Sequence, residues 1–235
     1  MSYKTIVFVV LIYCIQQIVT ENDAIRAVNE FKTKTNPNVY DKDISPKLGQ
    51  NSSVNVIISL HIINRKINAN DKSVKTYMYF RQTWTDPRLG HSYPGIKVVG
   101  SQPFIDRIWI PDTFFSNADS NQLSTVSVPK PTTFVTIDSN GTIRISHKLE
   151  PTTRCYVEDD SRLVCPIEIE SYGYNVNDLD YRWDRSRRSV SVSNPQVSID
   201  GYTFRNIASI RTVRKLSTGN FAKLVVTMTF DPDTV

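Results

Sequence analysis

The chain is poor in glycine, histidine and cysteine, and each shortage removes a class of function. Eight glycines in 235 residues leave no glycine-rich loop to wrap a phosphate. The three histidines, His61, His91 and His147, lack metal-ligand spacing and have no evident Ser/Asp constellation around them. No metal, no cofactor and no enzyme chemistry is therefore expected. No repeat or low-complexity tract is present, and no stretch after residue 20 is apolar enough to span a bilayer. The net charge of +5 is spread along the chain, with RSRR (185–188) the one basic cluster. A solvated loop accounts for that cluster better than a nucleic-acid patch does.

What is present begins with an address. Lys4 precedes TIVFVVLIYCIQQIVT, sixteen residues without a charge, which is too short and too terminal for a comfortable membrane helix. The pattern fits a secretory signal peptide over 1–20, leaving 21–235 as one exported domain. Cys14 would leave with it, so the mature chain keeps Cys155 and Cys165, with nine residues between them. An even pair in an oxidising compartment reads as a disulfide; two free thiols would require cytosolic retention. Asn51 in NSS and Asn140 in NGT are glycosylation sequons, consistent with export.

ENDAIRAVNEFK places Ile25, Val28 and Phe31 at threefold spacing and predicts a short leading helix. Strand patterns follow at 54–63, 74–84, 141–149, 165–172, 189–193 and 222–230, separated by turn signals such as TDP, YPG, DSNG and STGN. Many short strands after a single helix predict an antiparallel β-sandwich. Alternation sets the faces. Met78, Phe80, Gln82 and Trp84 share a core-like face, while Tyr77, Tyr79 and Arg81 point the other way. Likewise Ile143, Ile145 and Leu149 oppose Arg144, Ser146 and Lys148.

Four stretches, in order, carry a resemblance: YFRQTWTDPRL (79–89), IDRIWIPDTFFSN (105–117), IEIESYGYNVNDLDYRW (167–183) and STGNFAKL (217–224). Together they resemble the extracellular ligand-binding domain of Cys-loop receptors, closest to invertebrate GABA-gated chloride channels and then to glutamate-gated ones. The W-x-PDTFF-x-N and ES-aromatic-GY-x-x-NDL motifs are the most specific part of the match, which covers essentially the whole mature chain. The resemblance implies a short N-terminal helix and a ten-stranded twisted antiparallel β-sandwich. It also implies a five-membered ring, here a homopentamer, with ligands held between neighbouring subunits.

Position by position, the resemblance implies Glu170, Ser171, Tyr172, Thr218 and Phe221 on one side of the ligand, and Tyr79, Arg81 and Ser146 on the other. That set suits a small zwitterionic amino acid or amine. Arg81 would hold a carboxylate through paired hydrogen bonds, helped by the Ser146 and Thr218 hydroxyls. Glu170 would face an ammonium group, with Tyr172, Phe221 and Tyr79 offering aromatic faces. Glu170 could instead simply pair with Arg81 in an empty cleft. Phe221 replaces the usual tyrosine, and Lys223 stands where GABA-gated relatives carry arginine. His61 occupies the place of a second carboxylate-binding arginine in glutamate-gated channels, which favours GABA or another ω-amino acid. Trp84, Trp109 and Trp183 are expected to pack the core, and Asp112 to brace a turn.

Two departures concern the end that meets the membrane domain in the family. The family's Cys loop encloses thirteen residues around a Phe/Tyr-Pro-x-Asp centre, whereas the loop here has nine and no such centre. Relatives continue into a membrane helix where this sequence reads TMTFDPDTV. The expectation is a secreted, extracellular, soluble pentamer that binds a GABA-like ligand without a channel. The alternatives are a truncated or incompletely recorded chloride-channel subunit, and a secreted interaction module with a relic cleft.

Overall fold

A computed structural model describes residues 21–119, 133–158, 161–186, 189–195 and 198–233, with Ile6 besides. Apart from Ile6, the expected leader lies outside the described residues, as do Arg187 and Arg188 of the basic cluster. The leading helix α1 covers 21–34. Ala27 and Phe31 are its buried residues, one turn apart, with Val28 packed beside them, and Phe31 stacks on Phe104 at 4.9 Å. Ile25 lies on the solvent side, 55% exposed, because the buried stripe runs one position round from the threefold spacing that suggested it.

Among the described residues fourteen strand segments follow, arranged in the two sheets of the expected sandwich. One sheet contains β1 (Val54–Asn68), β2 (Ser73–Thr85), β3 (Lys97–Gly100), β5 (Thr133–Asp138), β6 (Thr142–Leu149), β7 (Thr152–Arg154), β10 (Leu179–Trp183) and β11 (Val190–Val192). Its main path runs β10-β1-β2-β6-β5-β3. The other sheet contains β4 (Thr113–Phe115), β8 (Tyr156–Val157), β9 (Leu163–Ser171), β12 (Ser198–Ile199), β13 (Tyr202–Leu216) and β14 (Gly219–Pro232), with path β12-β13-β14-β9-β4. Pairing is antiparallel except along β1, which takes β10 and β11 in parallel.

The core forms where the alternating residues of both sheets meet. Val56, Ile58, Leu60, Met78, Phe80, Trp84, Ile143 and Ile145 come from the first sheet, and Ile167, Ile169, Leu224, Val226, Met228 and Phe230 from the second. Full burial of such a side chain contributes about 1.5–3 kcal/mol, enough in sum to hold two sheets face to face. Trp84 and Trp109 meet edge to face inside it at 6.1 Å. Trp183 is only half-buried, and its indole N–H donates to the Ile210 carbonyl at 2.9 Å, tying β10 to β13.

Polar anchors fix the loops that carry the motifs. The Asp86 carboxylate, fully buried, accepts from the Arg88 guanidinium and from the Tyr40 hydroxyl, both at 2.7 Å. The same Tyr40 oxygen accepts the Trp109 N–H at 2.9 Å, and burial pushes its phenol well above the ordinary value. The TDPRL and WIPD segments are thereby locked to the chain after α1. The Cys155–Cys165 disulfide closes β8 onto the start of β9.

Candidate functional site

The eight site residues expected from the sequence divide between the two sheets. Tyr79 and Arg81 lie on β2, two apart and therefore on the same face, and that face is the outer one: Tyr79 is 39% exposed while Met78 and Phe80 are buried. The Arg81 guanidinium sits 5.6 Å from the Tyr79 ring centroid. Arg81 pairs in register with Ser146 on β6, and Ser146 with the half-exposed Phe134 on β5. Among the described residues Arg81 has no carboxylate partner, so its fork of donors faces outward free. Lys148, opposite Tyr79, adds a second cation to this face.

His61 stands beside this patch on β1. It pairs with Tyr79 across the strands, and the two rings stack at 6.2 Å. Its Nδ1 meets the Ser191 hydroxyl at 2.8 Å and its Nε2 meets that of Ser193 at 3.2 Å. Both ring nitrogens are thus engaged, and β11 is what holds the imidazole against Tyr79. The sequence offered no sign of this, because nothing in SVSVS points to a partner more than a hundred residues away.

Glu170, Ser171, Tyr172, Thr218 and Phe221 belong to the second sheet and its turns. On β9 the odd residues 163–169 face the core, so Glu168 and Glu170 face out with Phe114 of β4 alongside Glu170. Glu170 does not stand free. Its carboxylate lies 3.2 Å from Arg214 of β13 and 3.8 Å from Lys223 of β14, and its side chain is 3% exposed. Lys223 pairs more closely with Glu168, at 2.6 Å, and Glu168 also accepts from the Ser116 hydroxyl. Two carboxylates and two cations therefore form one compensated cluster. Arg214 was missed by sequence reasoning, since β13 shows no apolar alternation to mark it as a strand. The contemplated Glu170–Arg81 pair does not form within one chain.

The remaining members differ in availability. Tyr172 is 81% exposed, its ring edge-on to Phe114 at 5.8 Å. Phe221 is buried under the β13–β14 hairpin, and Thr218 lies in the exposed two-residue turn at its tip. Ser171 is buried and already occupied: its hydroxyl donates to Asp112 and accepts the Tyr174 N–H at 2.8 Å. Asp112 also accepts the Gly173 N–H at 2.7 Å, so it braces the 171–174 turn that presents Tyr172. A cavity of about 310 Å³ lies against Asp112, Trp109 and Tyr174 and includes none of the eight residues. On a single chain the eight expected residues fall into two separate sets, one on each sheet.

The leading helix, the two-sheet sandwich and the disulfide-closed loop define a ligand-binding domain of the Cys-loop kind. The chain belongs to the neurotransmitter-gated ion-channel ligand binding domain family, whose model matches residues 30–231. It is similar to the gamma-aminobutyric acid receptor subunit pi of Rattus norvegicus, 27% identical over 193 residues covering 80% of this chain and 42% of that protein. It is also similar to the gamma-aminobutyric acid receptor alpha-like protein of Drosophila melanogaster, 31% identical over 163 residues (66% of this chain, 23% of that protein). The gamma-aminobutyric acid receptor subunit beta-4 of Gallus gallus is 29% identical over 159 residues, 65% of this chain and 32% of that protein. The chain thus spans less than half the length of each of these relatives. The family is one of receptors, not enzymes.

Proposed function

We propose that this domain binds a small amino acid or amine, GABA-like in length, between neighbouring copies of itself in a five-membered ring, and that it does so as a secreted extracellular protein. One observation carries the reading: a guanidinium without a carboxylate partner among the described residues, Arg81, lies on the outer face of one sheet, while Glu168 and Glu170, balanced by Arg214 and Lys223, lie on the outer face of the other. Each half complements one end of a zwitterion, and only a second copy can bring the halves together. Arg81 binds the carboxylate with Ser146 beside it. The exposed Tyr172 and the carboxylates Glu168 and Glu170 receive the ammonium end, with cation–π attraction of about 0.5–2 kcal/mol per aromatic face. Asn51 and Asn140 are both exposed, in keeping with glycosylation on an exported chain.

Calorimetry of the assembled protein with GABA, β-alanine, glycine, glutamate and biogenic amines tests the ligand class. Arg81→Ala should weaken binding of the preferred amino acid roughly 10–100-fold, the range of a lost charge-assisted pair. Unchanged tight binding would remove the carboxylate role. Sedimentation of protein recovered from the medium should give a five-subunit mass. A second reading, the extracellular part of a longer chloride-channel subunit, is favoured by the relatives' greater length. A transcript running on into four hydrophobic segments would establish it.

A further inference from the structure

One buried charge has no counterpart in the site just described. Arg65 lies on β1 after an irregularity in the pairing with β2 between Ile62 and Asn64. Before it the even residues Val56 to Ile62 face the core; after it the odd residues Arg65 and Ile67 do. The bulge therefore places a guanidinium in a row of aliphatic side chains, 3% exposed. Its Nη2 donates to the Asn194 carbonyl at 3.2 Å, and the group lies 5.0 Å from the Phe204 ring centroid of the opposite sheet. Nε and Nη1 have no partner, and no carboxylate pairs with the group among the described residues. The Asp200 carboxylate instead accepts the Ile67 N–H at 3.1 Å.

Neighbouring polar atoms share the deficit. Thr76, opposite Arg65 in register, has its Oγ1 buried and unpartnered, and so does Thr153, opposite Val74. Guanidinium nitrogens can only donate, and both hydroxyls have a proton to give. A buried cation that cannot shed its proton requires a counter-charge, which water does not supply. The orphaned set is thus positive and rich in donors. We propose that Arg65, with Thr76 and Thr153, binds a small inorganic anion of the halide class between the sheets, at the end of the sandwich that carries the β1–β2 hairpin and the disulfide. The bound anion fixes Asn194 through the guanidinium it neutralises. This site is independent of any ligand between subunits.

The test uses the full chain in sodium bromide, chloride or gluconate at equal ionic strength. Above half-saturation the thermal midpoint should rise roughly 3–6 °C for each tenfold increase in halide, and gluconate should give no such rise. Crystals grown in bromide should show an anomalous peak within hydrogen-bonding distance of the Arg65 guanidinium. Arg65→Met is expected to fold, because an apolar residue of similar volume often replaces a buried charge without loss, and it should abolish both the halide dependence and the peak. Equal midpoints in halide and gluconate, a map with water alone at Arg65, or halide dependence that survives in Arg65→Met would each overturn the proposal.

Discussion

Glu170 and Arg81 stand in opposite electrostatic states before any ligand arrives. Glu170 shares its charge with Arg214 and Lys223, whereas Arg81 lies against the Tyr79 ring with no carboxylate partner among the described residues. A ligand carboxylate therefore gains a whole cation on one side, and an ammonium group joins a cluster already balanced on the other. The carboxylate end should dominate affinity, which is why Arg81→Ala is the decisive substitution. One strand position from Ser146, His147 turns inward towards Phe80, and burial lowers its pKa below the usual histidine value. A lowered folded pKa means that the unfolded chain takes up the proton first. The neutral ring's contribution is intact above about pH 6.5 and is lost as pH falls through the folded value. Urea midpoints at pH 7.5 and pH 5 should fall further for the wild type than for His147→Gln; parallel losses would exclude the effect. Alternation made the outward facing of Tyr79, Arg81 and Ser146 legible, because each lies on a strand with an apolar opposite face, while only the family resemblance marked them as site residues. Arg214 was illegible for the converse reason, and the use of the Ser171 hydroxyl depends on Asp112, fifty-nine residues away.

At the scale of elements, the longer strands with apolar alternation were readable, whereas short ones such as β5 and β10, and the exposed β13, were not. The 54–63 and 222–230 patterns grew into β1 and β14, which bury every second residue over Val54–Ile62 and Ala222–Phe230. β13 is fifteen residues long yet exposed along nearly its whole length, and its apolar residues Ile207, Ile210, Val213 and Leu216 recur every third position, so it carries no sustained strand alternation to read. It exists because β14 supplies a continuous ladder of partners. Turns show a similar contrast between local chemistry and tertiary context. Gly141 and Gly201 both have positive φ, at 78° and 83°. A Cβ on Gly141 would lie 2.2 Å from the Asp86 carbonyl oxygen, whereas one on Gly201 would meet nothing within 4 Å. Gly141→Ala should therefore cost about 3 kcal/mol or more, adding steric displacement to backbone strain, and Gly201→Ala only about 1 kcal/mol. Denaturant midpoints of the two variants would separate these cases. Equal losses would mean that the DSNG turn yields without disturbing Asp86.

For the whole molecule, the proposed site would make binding a property of pairs of copies. Tyr79, Arg81 and Ser146 lie on the outer face of one sheet, and Glu170 and Phe221 on the outward side of the other, with the packed core between them. No rearrangement short of unfolding brings the two sets together in one chain. This predicts complementation. Arg81→Ala removes one half-wall and leaves Glu170 intact, while Glu170→Gln does the reverse. Assembled alone, each variant should bind the preferred amino acid weakly at every interface. Assembled together in equal amounts, one interface type in four joins the intact Glu170 side of one variant to the intact Arg81 side of the other. About a quarter of the wild-type capacity should then return at wild-type affinity, because the contacts in a ring are head-to-tail and each uses one face of each copy. A doubly substituted chain mixed with wild type provides the control: it too leaves about a quarter of interfaces intact, but both of their halves come from unsubstituted copies. Calorimetric stoichiometry reads the outcome directly. If co-assembly of the two single variants restored nothing while the control mixture kept about half its capacity rather than a quarter, each site would lie within one chain, and the inter-subunit reading would fall.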